Sequence, residues 1–199
     1  MRSLAFCLVA SLAVPVLAGG RKGDPDEPKP MIRWEASSLD AALKRATDEN
    51  KPLLVAINMD AEAANEEMTA TTYRNPRLLE ASEKTLNLIA SAATHPHRLE
   101  ILPDGTKRKL CTRFLTVTCE EHQAVEKAVR KAYFRNAEEM IAPQHLTLRP
   151  DGTLIQLKQY QITAKELESL IQEAVQVVGK PRTPNGQTAA RKGARKKTR

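Results

Sequence analysis

Two cysteines eight residues apart are the residues of this chain best suited to chemistry. Cys111 and Cys119 remain as a pair once Cys7, which lies in an apolar N-terminal segment, is set aside. Cys119 directly follows Thr118 at the expected start of a helix, where the helix dipole lowers the pKa of a thiol. His122 lies three residues further on, on the same helical face. This spacing indicates a disulfide, a redox pair or a metal site.

The N-terminus decides which compartment these thiols meet. Met1 and Arg2 precede an apolar run over 4–18 that is shorter than the roughly 20 residues of a membrane helix. Val16-Leu17-Ala18 then places small or permissive residues at the two positions that a signal peptidase recognises. We therefore predict a signal peptide over 1–18, a chain that does not span the membrane, and export to the periplasm or the extracellular space.

In an oxidising compartment an even pair of cysteines is interpreted first as a disulfide. We predict a Cys111–Cys119 bridge that fastens the helix to the segment before it. The alternative is a labile redox pair, in which Cys119 attacks, His122 polarises it and Cys111 resolves. The alternative makes the chain an atypical thiol-disulfide oxidoreductase.

A metal site is the third use of the same residues. Cys111, Cys119 and His122 supply three ligands, and His95, His97 or His145 the fourth. The spacing C-x7-C-x2-H matches no established zinc pattern, and a disulfide would remove both thiols. We therefore expect no metal, and the sequence contains no motif that indicates another cofactor.

Helices and strands alternate through the middle of the chain. The apolar run over 53–57 predicts a buried central strand, and 85–90 a second strand. Helices are predicted over 39–50 after a Ser38 cap, over 61–72, and from Asn75-Pro76 onward. Thr118 and Glu121 form a capping box that opens a helix reaching Phe134. Residues 91–118 read as loops, with a turn at 104–105.

The segment after that helix predicts a hairpin and a last helix. Strands over 146–149 and 153–159 flank a Pro-Asp-Gly turn at 150–152. Thr163 then caps a helix with apolar residues on one side. The predicted order is helix, strand, helix, strand, inserted helix, hairpin, helix.

Three local matches in this order resemble the thioredoxin superfamily over residues 34–178. They are a helix leading into Lys51-Pro52-Leu53-Leu54-Val55, Ala142-Pro143-Gln144 just before the hairpin, and the Asp151-Gly152 turn. The resemblance implies a thioredoxin-like α/β fold, a three-layer α/β/α sandwich with a mixed central sheet and an inserted helix. It also implies a cis-proline at Pro143.

The chain departs from the family where the family carries its dithiol. Matching Leu53-Leu54-Val55 to the family's strand places Glu62-Ala63-Ala64-Asn65 at the CxxC position. Carboxylate and amide side chains cannot attack or resolve a disulfide. We therefore expect a redox-inactive protein rather than an ordinary thioredoxin. We assign no catalytic residue.

Binding can persist without that chemistry. In this fold the cis-proline loop presents a backbone edge to an extended peptide. The resemblance therefore implies a peptide-binding groove lined by Glu62, Asn65, Pro143 and Gln144. We interpret the chain as a protein-interaction or scaffold module whose partner is an exported or envelope protein or peptide.

Positive charge is concentrated at the C-terminus. Residues 180–199 contain eight Lys or Arg and no acid, whereas 19–179 hold 22 bases and 24 acids. We predict a flexible linker over 19–33 and a disordered basic tail over 179–199. The tail suits anionic surfaces, and export argues against a nucleic-acid partner.

Overall fold

A computed structural model describes residues 28–134 and 141–180 of the chain. The signal peptide predicted over 1–18, most of the linker and nearly all of the basic tail lie outside the described residues. The helices are α1 (Leu39–Glu49), α2 (Ala63–Ala70), α3 (Pro76–Ser82), α4 (Cys119–Tyr133) and α5 (Ala164–Gly179). The strands are β1 (Leu53–Ile57), β2 (Leu86–Ala90), β3 (His97–Ile101), β4 (Lys107–Cys111), β5 (Gln144–Leu148) and β6 (Leu154–Gln159).

A mixed four-stranded sheet forms the centre, in the order β2-β1-β5-β6. β1 runs parallel to β2 and antiparallel to β5, and β6 runs antiparallel to β5. Every residue of β1, β2 and β5 is buried, as expected for strands with helices on both faces. This arrangement confirms the thioredoxin-like α/β fold predicted from the sequence.

Two apolar cores lie on opposite faces of the sheet. One contains Met68 of α2, Leu78 of α3 and Leu167 of α5. The other contains Ala42 of α1 and Val125 of α4. The helices therefore form two layers around the sheet, which confirms the predicted three-layer sandwich.

The packed structure begins slightly earlier than the boundary predicted at Trp34. Met31 and Ile32, which the sequence analysis places in the linker, are both buried. The backbone N–H of Ile32 donates to the carbonyl of Tyr73 at 2.8 Å. Their apolar side chains belong to the same core as Trp34, so these two residues are part of the packed domain rather than of the predicted linker.

The segment between β2 and α4, predicted as loops with a turn, contains a hairpin. β3 pairs antiparallel with β4, with His97 opposite Cys111 and Ile101 opposite Lys107. The predicted turn at Asp104-Gly105 connects them, and Gly105 has a positive φ of 81°. The predicted inserted helix is α4, which packs against β2. The hairpin ends on Cys111 and so delivers this residue to the start of α4.

None of the helices in the described residues is long and apolar enough to cross a membrane.

Capping boxes fix the starts of α4 and α5: the box at Thr118 and the cap at Thr163 are confirmed, and Glu166 completes a second box that was not predicted. At α5 the Thr163 hydroxyl accepts from the N–H of Glu166 at 3.2 Å, and the Glu166 carboxylate accepts from the N–H of Thr163 at 2.7 Å. We expect Thr163→Ala to lower the free energy of unfolding by about 1 kcal/mol, measured by urea denaturation. Thr163→Ser keeps the hydroxyl and serves as the control. Equal loss in both variants would contradict the capping role.

Candidate functional site: a cysteine and histidine cluster

Four side chains from three segments meet at one end of the sheet. They are His95 in the β2–β3 connection, Cys111 at the end of β4, and Cys119 and His122 in the first turn of α4. One nitrogen or sulfur atom from each lies within 4.8 Å of the others. We call this group the Cys–His cluster.

Local backbone structure explains why three of these residues meet. Cys119 and His122 are three positions apart, so they share one face of α4. The Thr118 capping box fixes the start of that helix. The backbone N–H of Cys111 donates to the carbonyl of Val117 at 2.8 Å, which closes the β4–α4 loop.

Both cysteines of the cluster are free thiols in this structure. The predicted disulfide therefore stays a prediction, although the sulfurs are close. Cys111 is fully buried and Cys119 is half-buried. Burial raises the pKa of the Cys111 thiol to about 11, because a thiolate is poorly stabilised away from water. This thiol alone is a weak nucleophile at neutral pH.

His95 contacts both cysteines and an acidic residue. Its Nδ1 lies 3.3 Å from the Cys111 sulfur, and its backbone N–H donates to the Cys119 sulfur at 3.3 Å. On the other side of the ring, Nε2 lies 3.0 Å from a carboxylate oxygen of Asp60, in the loop after β1. A carboxylate favours a proton on Nε2, which leaves the Nδ1 lone pair facing the thiols.

His122 is held in the complementary way. Its Nδ1 donates to the backbone carbonyl of Ser91 at 2.8 Å. The carbonyl accepts only, so Nδ1 carries the proton and Nε2 carries a lone pair. Nε2 is buried without a hydrogen-bond partner in the described part of the chain. Burial lowers the pKa of this imidazole, which keeps the ring neutral.

An aromatic ring and a cation close one side of the cluster. The buried ring of Phe114 packs edge-on against His95 and His122, with centroid distances of 5.2 and 5.1 Å. Arg113 lies over the Phe114 ring and pairs with Glu66 of α2 at 2.8 Å. These contacts connect the cluster to the start of α2.

The structure separates the three histidines that were candidates for a fourth ligand. His95 joins the cluster. His97 is exposed on β3. His145 is fully buried in β5, where its Nε2 lies 2.9 Å from the Tyr73 hydroxyl. Of these three histidines, only His95 in the β2–β3 connection reaches the two cysteines and His122.

The CxxC position of the resemblance lies at the start of α2. Glu62 is the N-cap residue and Asn65 lies within the first turn. Asn65 is fully buried. Its side-chain oxygen accepts from the N–H of Met59 at 3.1 Å, and its side-chain nitrogen donates to Glu62 at 3.0 Å. At this position an amide holds the loop after β1.

The four predicted groove residues differ in exposure. Glu62 is exposed, whereas Asn65, Pro143 and Gln144 are buried. Gln144 pairs with Ile57 at the end of β1, so the start of β5 lies at the same end of the sheet as the start of α2. The Ala142–Pro143 peptide bond is cis. A groove at this end of the sheet would therefore offer a peptide backbone groups and the Glu62 side chain rather than four exposed side chains.

No protein-family model matches the chain, and no curated protein is similar to it in sequence. Among solved structures, the DsbH oxidoreductase has a TM-score of 0.49 at 11% identity, covering 78% of this chain and 94% of that one. The C-terminal domain of DsbD from Neisseria meningitidis, in the oxidised form, has a TM-score of 0.43 at 17% identity, covering 72% and 98%. A thioredoxin from Thermus thermophilus has a TM-score of 0.45 at 15% identity, covering 75% and 92%. These similarities concern the fold, and no functional residue is carried over from them.

Proposed function

We propose that this chain is an exported thioredoxin-fold protein that binds a protein partner and performs no dithiol exchange. The observation that carries the proposal is the side-chain chemistry at the start of α2. Glu62 and Asn65 stand where the resemblance implies the two redox thiols, and neither can form a disulfide. Function belongs to the site rather than to the fold, so the fold alone does not restore the activity.

The contacts of Asn65 support a structural role at this position. Its buried side-chain oxygen accepts from the N–H of Met59 in the loop that leads into α2. A thiol there is a much weaker acceptor. The residue thus stabilises the loop after β1 in place of redox chemistry.

The partner surface in this proposal is formed by the start of α2 and the segment before β5, at one end of the central sheet. Glu62 is exposed there, and Met59 is 41% exposed. An extended peptide of an exported or envelope protein fits this partner surface through backbone hydrogen bonds. The basic tail adds attraction to anionic surfaces.

The second candidate is an atypical thiol-disulfide oxidoreductase that uses Cys119 and Cys111. The nearness of the two sulfurs favours it, as does the place of the half-buried Cys119 in the first turn of α4. The burial of Cys111 opposes it, because a resolving thiol must become a thiolate. His122 also directs its protonated nitrogen to Ser91 rather than to a substrate.

A disulfide-exchange assay separates the two candidates. We expect the mature chain to reduce a model protein disulfide no faster than its Cys119→Ser variant does. The double variant Glu62→Cys, Asn65→Cys is the positive control, because it restores a CxxC at the start of α2. We expect this variant to gain exchange activity. Activity in the natural chain that disappears in Cys119→Ser would contradict the proposal and favour the oxidoreductase.

Site-specific photo-crosslinking tests the partner surface. A photoreactive residue in place of Glu62 is expected to yield a discrete cross-linked product in the native envelope, competed by an excess of the unlabelled chain. The same residue in place of Glu80, exposed on α3, is the control. Equal amounts of cross-linked product from both positions would contradict a partner site at this surface.

A further inference from the structure

We propose that His95, Cys111, Cys119 and His122 form a closed four-coordinate site for a divalent transition metal, Zn²⁺. Two thiolates and two imidazoles are the ligands of many tetrahedral zinc sites. None of the four ligands belongs to the partner surface, so the metal site stands independently of the proposed function.

The distances fit a tetrahedral ion with a small contraction. With Zn–S near 2.3 Å and Zn–N near 2.0 Å, ligand atoms of a tetrahedron lie about 3.3 to 3.8 Å apart. His95 Nδ1 and the Cys111 sulfur are already 3.3 Å apart. No pair of ligand atoms exceeds 4.8 Å, so the largest gap closes by a movement on the order of 1 Å.

The lone pairs point the correct way. His122 is 1% exposed and its Nε2 has no partner in the described residues. A buried polar atom without a partner is costly, and a metal ion at the cluster centre satisfies it. His95 directs Nδ1 to the same centre.

The residues around the cluster resemble the outer contacts of metal-bound histidines. Such histidines donate their second N–H to a carboxylate or a backbone carbonyl. His95 meets the Asp60 carboxylate, and His122 meets the Ser91 carbonyl. The backbone N–H of His95 contacts the Cys119 sulfur, a contact that stabilises a thiolate.

Charge also favours a divalent ion. Binding displaces one proton from each thiol, and the two thiolates neutralise the ion. A neutral centre is much easier to bury than a lone thiolate at Cys111. All four positions are filled by protein, so the ion has a structural role: it joins β4, α4 and the β2–β3 connection.

Cobalt provides the direct test, since Co²⁺ in a tetrahedral site with thiolates absorbs visible light. The full mature chain is purified without an affinity tag, reduced, stripped of metal and titrated with Co²⁺ and then Zn²⁺. We expect saturation at one Co²⁺ per chain, thiolate-to-cobalt absorption, and full displacement by one Zn²⁺. A reduced chain that binds neither ion stoichiometrically would overturn the proposal.

Variants identify the ligands. Cys119→Ser and His95→Gln are expected to lose the tetrahedral spectrum, whereas His97→Gln, outside the cluster, is expected to keep it. Asp60→Asn, which changes a positioning residue, is expected to weaken affinity about 10-fold to 100-fold while the spectrum persists. Far-UV circular dichroism verifies that each variant is folded. If Cys119→Ser does not fold, His95→Gln, which changes a loop residue, provides the test of the ligands. Unchanged binding in both Cys119→Ser and His95→Gln would contradict the assignment.

Discussion

Acidification from pH 7 to pH 4 is expected to destabilise this protein by about 3 kcal/mol through His145 alone. His145 is fully buried in β5, and its contact with the Tyr73 hydroxyl is a single hydrogen bond. Its Nδ1 has no partner among the described residues. Burial lowers the pKa of this imidazole from 6.5 to about 3, because a charged ring inside the sheet is separated from water.

The direction follows from the two protonation states. Below pH 6.5 the unfolded chain binds a proton at His145, whereas the folded chain stays neutral until about pH 3. Stability from this group is therefore complete above pH 6.5 and decreases as the pH falls towards 3. The loss reflects the proton that only the unfolded state accepts.

Urea unfolding at pH 7 and pH 4 measures the effect. The matched variant is His145→Gln, which keeps an amide near Tyr73 and has no titrating ring. The natural chain is expected to lose about 3 kcal/mol more between the two pH values than the variant. The carboxylates and His122 titrate in both chains and cancel in the comparison. An equal loss in both chains would show that His145 is protonated in the folded state at little cost.

Phe114→Ala is expected to lower the free energy of unfolding by about 3 to 5 kcal/mol. Phe114 is 0% exposed, and its ring packs against His95 and His122. Removing the ring leaves a cavity between the core and the Cys–His cluster. The same cavity opens a route to the buried Cys111 thiol, so the variant is also expected to react faster with a thiol reagent.

Denaturant unfolding in the presence of a chelator isolates the packing effect from metal binding. Phe114→Leu fills part of the space and is expected to cost less than Phe114→Ala. Leu99→Ala removes an apolar side chain that is 55% exposed on β3 and is expected to cost little. If Phe114→Ala costs no more than Leu99→Ala, the ring does not support this side of the fold.

Local signals predicted most of the elements because these signals act within a few residues. The apolar run of β1, the Asn75-Pro76 start of α3 and the caps at Thr118 and Thr163 each fix structure through adjacent atoms. In the β3–β4 hairpin only the turn at Asp104-Gly105 carries such a signal, and the two strands carry none. Its strands are mostly exposed and rich in charge, so their pairing depends on the connection around them rather than on an apolar pattern.

The site could be predicted only in part. The spacing of Cys119 and His122 placed both on one helical face, and Cys111 was a candidate partner. The choice of His95 over the other histidines depends on the path of the β2–β3 connection, which no local pattern encodes. The roles of Asp60 and Ser91 likewise appear only when three segments come together.

Polar residues at this end of the sheet show a second limit of prediction from sequence. Asn65 and Gln144 were predicted to line a groove, yet both are buried. A polar side chain that bonds to backbone and one that faces a ligand have the same letter in the sequence. Only the positions of the surrounding donors and acceptors distinguish the two cases.

Intact mass under native conditions tests most directly the claim that the two cysteines hold a metal and are not a redox dithiol. The protein is expressed with its predicted signal peptide, purified without added chelator or reductant, and compared with its Cys119→Ser variant. We predict a natural chain heavier by one zinc ion less two protons, and a variant without bound zinc. A metal-free natural chain lighter by two hydrogens would show a Cys111–Cys119 disulfide and contradict the metal site.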